Sequence, residues 1–217
     1  MPPRAVLFDF DGVLADTENI HVAAWQRTFA DLGWVVADEV CARVVEVDDH
    51  LFLSEVFAEH KIEGGDIEGW VHRKQRLTVA MLADSPRIYP GVPELVRRLS
   101  GRVHLGIVST TWRENIEVVL AASGLAGAFE VLIGKEDVAA VKPAPEGYLL
   151  ALERLGLPAE AAVALEDSAT GLQAARAAGL RAFAIGHRLP SGEWVGPSAY
   201  VPDLTAASNL IGLLDLA

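Results

Sequence analysis

The stretch "AVLFDFDGVLADTE", Ala5 to Glu18, sets two aspartates, Asp9 and Asp11, at the far end of an apolar run. Consecutive apolar residues from Ala5 to Phe8 suit a strand covered on both faces, the pattern of a parallel sheet rather than of a half-solvated one. Asp11-Gly12 then supplies a turn. Carboxylates at the end of a buried strand are costly to desolvate unless a cation or hydrogen-bond donors accompany them, so this stretch raises the question of what does.

Downstream, short apolar runs alternate with helical patterns: "VHLGIV" (103–108), "EVLI" (130–133), "AVAL" (162–165) and "RAFAI" (181–185). That alternation predicts an α/β protein, a Rossmann-like parallel sheet with helices on both faces. Gly124, Gly156 and Gly179 each close a helical stretch and precede a Leu, as left-handed residues just past a helix end do. The segment from Asn19 to Asp84 lacks comparable strand runs. Its apolar spacing is helical instead, with His21, Trp25, Thr28, Phe29 and Leu32 closed by Gly33, and with further helical stretches around 49–60 and 66–83. The expected organisation is a catalytic core of residues 1–16 and 87–217 with a helical-bundle cap, 17–86, inserted after the first strand. "SPRIYPGVP", with Pro86, Pro90, Gly91 and Pro93, reads as the hinge.

The chain has 217 residues, 51% of them hydrophobic, enough for one large core or a main domain with a smaller one attached. No apolar run approaches the ~18 residues of a membrane span, and the N-terminus lacks a basic segment followed by an apolar block and a cleavage site. The lone Cys41 allows no internal disulfide, and no Cys/His cluster has zinc spacing. A cytoplasmic protein, monomer or weak dimer, is expected. Thirty acidic residues against eighteen basic ones leave a net charge of −12, which repels nucleic acid and anionic membranes. An anionic substrate would need a local cation.

In open parallel sheets ligands bind at the carboxyl ends of the strands. The residues there are Asp9, Asp11 and Gly12; Ser109, Thr110 and Thr111; and Glu166, Asp167 and Ser168, with Lys142 arriving from the loop after "EVLIGKED". Each has an ordinary account: an Asp-Gly turn, a capping box from Thr111 to Glu114, a solvated lysine, a Glu-Asp pair before a helix. Their coincidence at one sheet edge is what these accounts leave unexplained. Carboxylates gathered within a few ångströms repel unless a cation stays with them, and an all-oxygen donor set favours Mg²⁺. Val13 and Leu14 break the spacing of a calcium-binding EF-hand loop, and the glycine-rich signatures of dinucleotide and P-loop sites are absent.

"DFDGVLADTE", the Ser109 element, Lys142 in "VKPAPEGY" and "LEDSATG" resemble, in order, the four motifs of the haloacid dehalogenase superfamily. The match is to its β-phosphoglucomutase-like and phosphoglycolate phosphatase-like branch, which carries a helical cap after the first motif. The resemblance implies a Mg²⁺-dependent phosphatase acting on a small phosphorylated metabolite through an aspartyl-phosphate. Asp9 would be the nucleophile and Asp11 the general acid and base. Ser109, the Thr110 backbone and Lys142 would bind the phosphoryl oxygens, and Asp9, the Asp11 carbonyl, Asp167 and Glu166 would hold the metal.

In sugar-phosphate members a cap loop commonly carries a Gly followed by Ser and Arg; here "VVEVDDH", residues 44–50, has Glu46, Asp48 and Asp49 and no arginine. His21, Glu46, Lys74, Trp112 and Arg113 are candidates for substrate contact. A packed histidine beside Trp25 competes for His21, and a solvated helix face for Lys74 and Arg73. A sugar phosphomutase on the same scaffold is the alternative activity. A phospho-accepting signalling receiver, with its motifs in the reverse order, is more remote.

Overall fold

The computed structural model describes residues 2–45, 47–62, 65–187, 198–205 and 207–214. The chain divides into two compact units, Met1–Asp16 with Arg87–Ala217, and Thr17–Pro86.

The first unit is built on six parallel strands: β1 (Ala5–Phe8), β2 (His104–Val108), β3 (Val131–Ile133), β4 (Ala162–Glu166), β5 (Arg181–Ile185) and β6 (Ala199–Val201). Their order is β3-β2-β1-β4-β5-β6, which puts β1 at the centre with Phe8 paired to Ile107 on one side and Leu165 on the other. Helices α5 (Val92–Leu99), α6 (Arg113–Ala122), α7 (Glu146–Leu155), α8 (Ala169–Ala177) and α9 (Ala207–Leu213) connect and follow the strands. Successive side chains of a strand point to opposite faces. Ala5, Leu7, Ala162, Ala164, Ala182 and Ala184 form one core cluster with Tyr148, Leu152 and Leu172 of α7 and α8. The alternate residues Val6, Phe8, Val163, Leu165 and Phe183 are equally buried, so both faces are covered, which is why the strands read as continuous apolar runs.

Strand β6 escapes a reading by apolar runs because it spans three residues at the sheet edge, two of them half-buried. The exit and return of the chain are pinned inside this unit. Asp16 N–H donates to the Arg87 carbonyl (2.8 Å) and Tyr89 N–H to the Leu14 carbonyl (3.0 Å). Gly91, within the expected hinge, is also a packing position: its φ is 89°, and a Cβ there would lie 1.8 Å from the Leu204 carbonyl oxygen.

The second unit holds α1 (Glu18–Asp31), α2 (Asp38–Ala42), α3 (Asp49–Glu59) and α4 (Ile67–Asp84). Its core is aromatic: Trp25 stacks on Phe29 (5.3 Å between centroids), and Trp70 meets Trp34 edge-on (5.0 Å). Cys41 is buried in this core, and burial together with Asp38 pushes its thiol up to about 11.

Lys74, expected on a solvated helix face or at a substrate, is 1% exposed. Its ammonium donates to both Asp49 carboxylate oxygens (2.9 Å each) and meets His21 Nδ1 at 2.9 Å, while Trp25 Nε1–H donates to Asp49 Oδ1 (2.8 Å). Since an ammonium has no acceptor, His21 Nδ1 is the acceptor in that contact. The acidic loop 44–50 thus has work inside the helical unit: Asp48 caps α3 through His50 N–H (2.9 Å) and Asp49 neutralises Lys74. Arg73, offered the same two accounts, pairs with Asp31 (3.2 Å). Glu46 lies outside the described residues.

Among the described residues no helix is long and apolar enough to cross a membrane. Removing one member of a buried ion pair strands the other charge, so Asp49→Leu should cost about 3–5 kcal/mol of unfolding free energy. Asp49→Leu combined with Lys74→Met should recover most of it in denaturant titrations; equal losses in single and double variants would show that the pair carries no such constraint.

Candidate active site

Four segments meet at the carboxyl end of β1. Asp9 follows the last paired residue of β1, with its own N–H given to the Leu165 carbonyl (2.9 Å). The chain then tightens into a turn: Leu14 and Ala15 N–H both bond the Phe10 carbonyl, and Gly12, at φ 86°, donates to the Ala15 carbonyl (2.8 Å). Phe10, Val13, Leu14 and Ala15 are fully buried. These apolar anchors hold the turn rigid and leave the flanking polar residues, Asp9 and Asp11, to line the strand end.

From β2, Ser109 Oγ donates to Asp11 Oδ2 (3.3 Å) and accepts from Thr111 N–H (3.0 Å). The expected capping box from Thr111 to Glu114 does not form. Thr111 Oγ1 accepts instead from Asn115 Nδ2 (3.0 Å), α6 begins after Trp112, and the Arg113 N–H goes to the Glu136 carboxylate. Thr110 is exposed at the apex of this loop. The Arg113 guanidinium pairs with Asp137, which also takes Arg154 (3.1 Å) and Gly134 N–H (2.8 Å). Burial opposes ionisation of Asp137, but these donors outweigh it and hold its carboxyl below the usual range. Arg113 therefore ties the β2 loop to the β3 loop. Trp112 carries Lys135 Nζ over its ring at 4.6 Å, and its buried Nε1 has no hydrogen-bond partner among the described residues.

Lys142 comes from the loop before α7, which Glu146 closes by accepting from Ala139 and Ala140 N–H (2.7 and 2.9 Å). Its ammonium reaches Asp9 Oδ1 (2.6 Å), the Val108 carbonyl (2.8 Å) and Glu166 Oε1 (2.7 Å). Burial alone would strip the proton; the Asp9 and Glu166 carboxylates outweigh it and hold Lys142 above the ordinary lysine range. Glu166, at the end of β4, is fully buried, and burial pushes its carboxyl up to about 7 against the opposing pull of Lys142. Asp167 follows, 3% exposed, and Ser168 caps α8 through Gly171 N–H (3.0 Å).

A model of the haloacid dehalogenase-like hydrolase family matches residues 6–185, from β1 through β5. The chain belongs to that family. Among its relatives, the protein CbbY of Rhodobacter capsulatus is 34% identical, with 96% of this chain and 97% of the relative covered. A phosphorylated carbohydrates phosphatase of Thermotoga maritima is 31% identical over 88% of each chain. The crystal structure of CbbY from Rhodobacter sphaeroides in complex with phosphate superposes with a TM-score of 0.83 at 32% identity, covering 95% of this chain and 96% of that one.

Within this family member, Asp9, Glu166 and Asp167 each offer an oxygen, and all three lie within 4.8 Å of one another. The donor set is hard and anionic, and Glu166 Oε2 is buried with no hydrogen-bond partner among the described residues, an acceptor left over for a cation. These residues fit a divalent metal. Two contributors carry no sequence signal of their own. Tyr148 of α7, fully buried, donates its hydroxyl to Glu166 Oε1 (2.5 Å). Gly171 of α8 leaves room for the same carboxylate, since a Cβ there would stand 1.9 Å from Glu166 Oε2. Gly171→Ala raises helix propensity by about 1 kcal/mol, yet overpacking against a buried carboxylate costs typically 1–3 kcal/mol more. Lower stability in denaturant is the expected result, and unchanged or higher stability would show that the carboxylate yields freely.

Proposed function

We propose that this hydrolase is a Mg²⁺-dependent phosphatase of a small phosphorylated metabolite, a sugar phosphate or similar phosphomonoester, that works in the cytoplasm through an aspartyl-phosphate. The observation that carries the reading is Lys142, buried and charged between Asp9 and Glu166 at the end of the central strand. It supplies the local cation that a chain of net charge −12 needs to receive a phosphate. The relatives named for phosphatase activity and for a phosphate complex support it.

In this mechanism Asp9 is the nucleophile. Lys142 donates to Oδ1 and so leaves Oδ2 as the attacking oxygen. The Asp9–phosphorus bond forms as the phosphorus–ester oxygen bond breaks, and the protonated Asp11 carboxyl gives its proton to the leaving oxygen. Water then attacks the phosphoryl group, its proton passes to Asp11, and phosphate leaves with Asp9 regenerated. Ser109, which bonds Asp11 Oδ2, would turn its one hydroxyl proton to a transferring oxygen beside the Thr110 N–H, and Lys142, whose three protons go to Asp9, Glu166 and the Val108 carbonyl, would attract those oxygens through its charge. Mg²⁺, held by Asp9, the Asp11 carbonyl, Asp167 and Glu166, would offset repulsion between the carboxylate nucleophile and the phosphate.

The helical unit, 17–86, serves as the cap. Three of its cations are neutralised locally, Lys74 by Asp49, Arg73 by Asp31, and Arg43 by Glu55 and Glu59, which supports hydrolysis over phosphoryl transfer within a bisphosphate.

Phosphate release from p-nitrophenyl phosphate tests the reading. EDTA should abolish it, and Asp9→Asn should lower kcat by on the order of 10³-fold or more; Mg²⁺-dependent turnover retained by pure Asp9→Asn protein would remove Asp9 as nucleophile. Asp11→Asn should lower kcat by about 10²–10⁴-fold with a smaller change in KM, and unchanged turnover would remove its acid–base role. A panel of sugar phosphates assayed for free phosphate and for isomerised product separates phosphatase from mutase.

A further inference from the structure

We infer that Tyr148 is a positioning residue for the metal site, fixing the rotation of the Glu166 carboxylate so that Oε2 stays available to Mg²⁺. The inference rests on the reading of Glu166 as a carboxylate that serves the metal. The two oxygens of Glu166 are treated very differently. Oε1 takes two donors, the Tyr148 hydroxyl at 2.5 Å and the Lys142 ammonium at 2.7 Å, whereas Oε2, equally buried, takes none among the described residues.

The terminal torsion of a glutamate is broad and roughly two-fold, so one donor does not hold it. With Lys142 alone, the carboxylate could turn until Oε2 also faced the ammonium, and the acceptor left for a cation would be spent. A second donor on Oε1 from another element blocks that rotation. Tyr148 is suited to the task because its ring is locked in the core cluster of α7 and α8, and its phenol is a fixed donor of one hydrogen bond. The Lys142 ammonium lies 5.5 Å from the Tyr148 ring centroid, so one side chain borders both donor positions. Gly171 borders Oε2 itself, which occupies the volume a Cβ there would need, 1.9 Å away.

Outer partners of metal ligands typically contribute 10–100-fold to metal affinity. In calorimetric titration of the metal-stripped full chain with Mg²⁺, Tyr148→Phe should raise Kd by about 10-fold or more, while the thermal midpoint in EDTA stays close to wild type. In a Glu166→Gln background the same substitution should change Kd by less than about 2-fold, because its effect passes through that carboxylate. Turnover of Tyr148→Phe should recover toward wild type as Mg²⁺ is raised, a rescue that a packing defect would not show. Wild-type affinity in Tyr148→Phe, an undiminished penalty in the Glu166→Gln background, or turnover that Mg²⁺ does not rescue would each overturn the inference. Failure of the wild-type chain to bind Mg²⁺ would instead overturn the metal reading on which it stands, and the inference with it.

Discussion

One ammonium group organises this site. Lys142 enters a region where Asp9 and Glu166 are both buried, and it bonds the two carboxylates and the Val108 carbonyl at once. Without a cation, two such carboxylates could not both stay ionised. With it, one oxygen of Asp9 and one of Glu166 share a buried positive charge. Every other feature of the site can be understood as support for this placement: the loop closed by Glu146 that delivers Lys142, the buried turn from Phe10 to Ala15 that presents Asp9 and Asp11, and the Gly171 gap that admits Glu166.

The helical unit obeys the same electrostatic rule with a different outcome. Its acidic loop departs from the family pattern, and the departure is partly structural: Asp49 neutralises a fully buried lysine and anchors Trp25, while Asp48 caps a helix. A loop whose carboxylates are committed to internal partners has lost the positive character that a second phosphate would require.

Much of this was legible before any coordinates. The apolar runs at 103–108, 130–133, 162–165 and 181–185 lie on observed strands to within a residue, because a strand buried on both faces has no polar residues to blur its limits. Asp9, Asp11, Ser109, Glu166 and Asp167 announce themselves as polar groups at strand ends, and Lys142 as a lysine in the loop that follows β3. The three-residue edge strand β6 did not, and the spacing of Thr111 and Glu114 misled, since Asn115 engages the Thr111 hydroxyl and Ser109 Oγ takes the Thr111 N–H, the two groups a capping box would have used. Lys74 misled in another way: in the basic run from His72 to Arg76, nothing local distinguishes a buried lysine from a solvated one.

The sequence by itself determined the parallel sheet, the inserted helical unit and the carboxylates at the strand ends, because each is a local pattern of apolar runs, turns and paired acids. Only the tertiary structure decided how those carboxylates are held. Tyr148 and Gly171 lie 18 and 5 residues from Glu166 in sequence, and Asp49 lies 25 from Lys74. A tyrosine in an apolar helix face or a glycine in a first helical turn has no chemical signature until packing brings it against a charge. Its role is a distance and a direction, and those exist only in the folded chain.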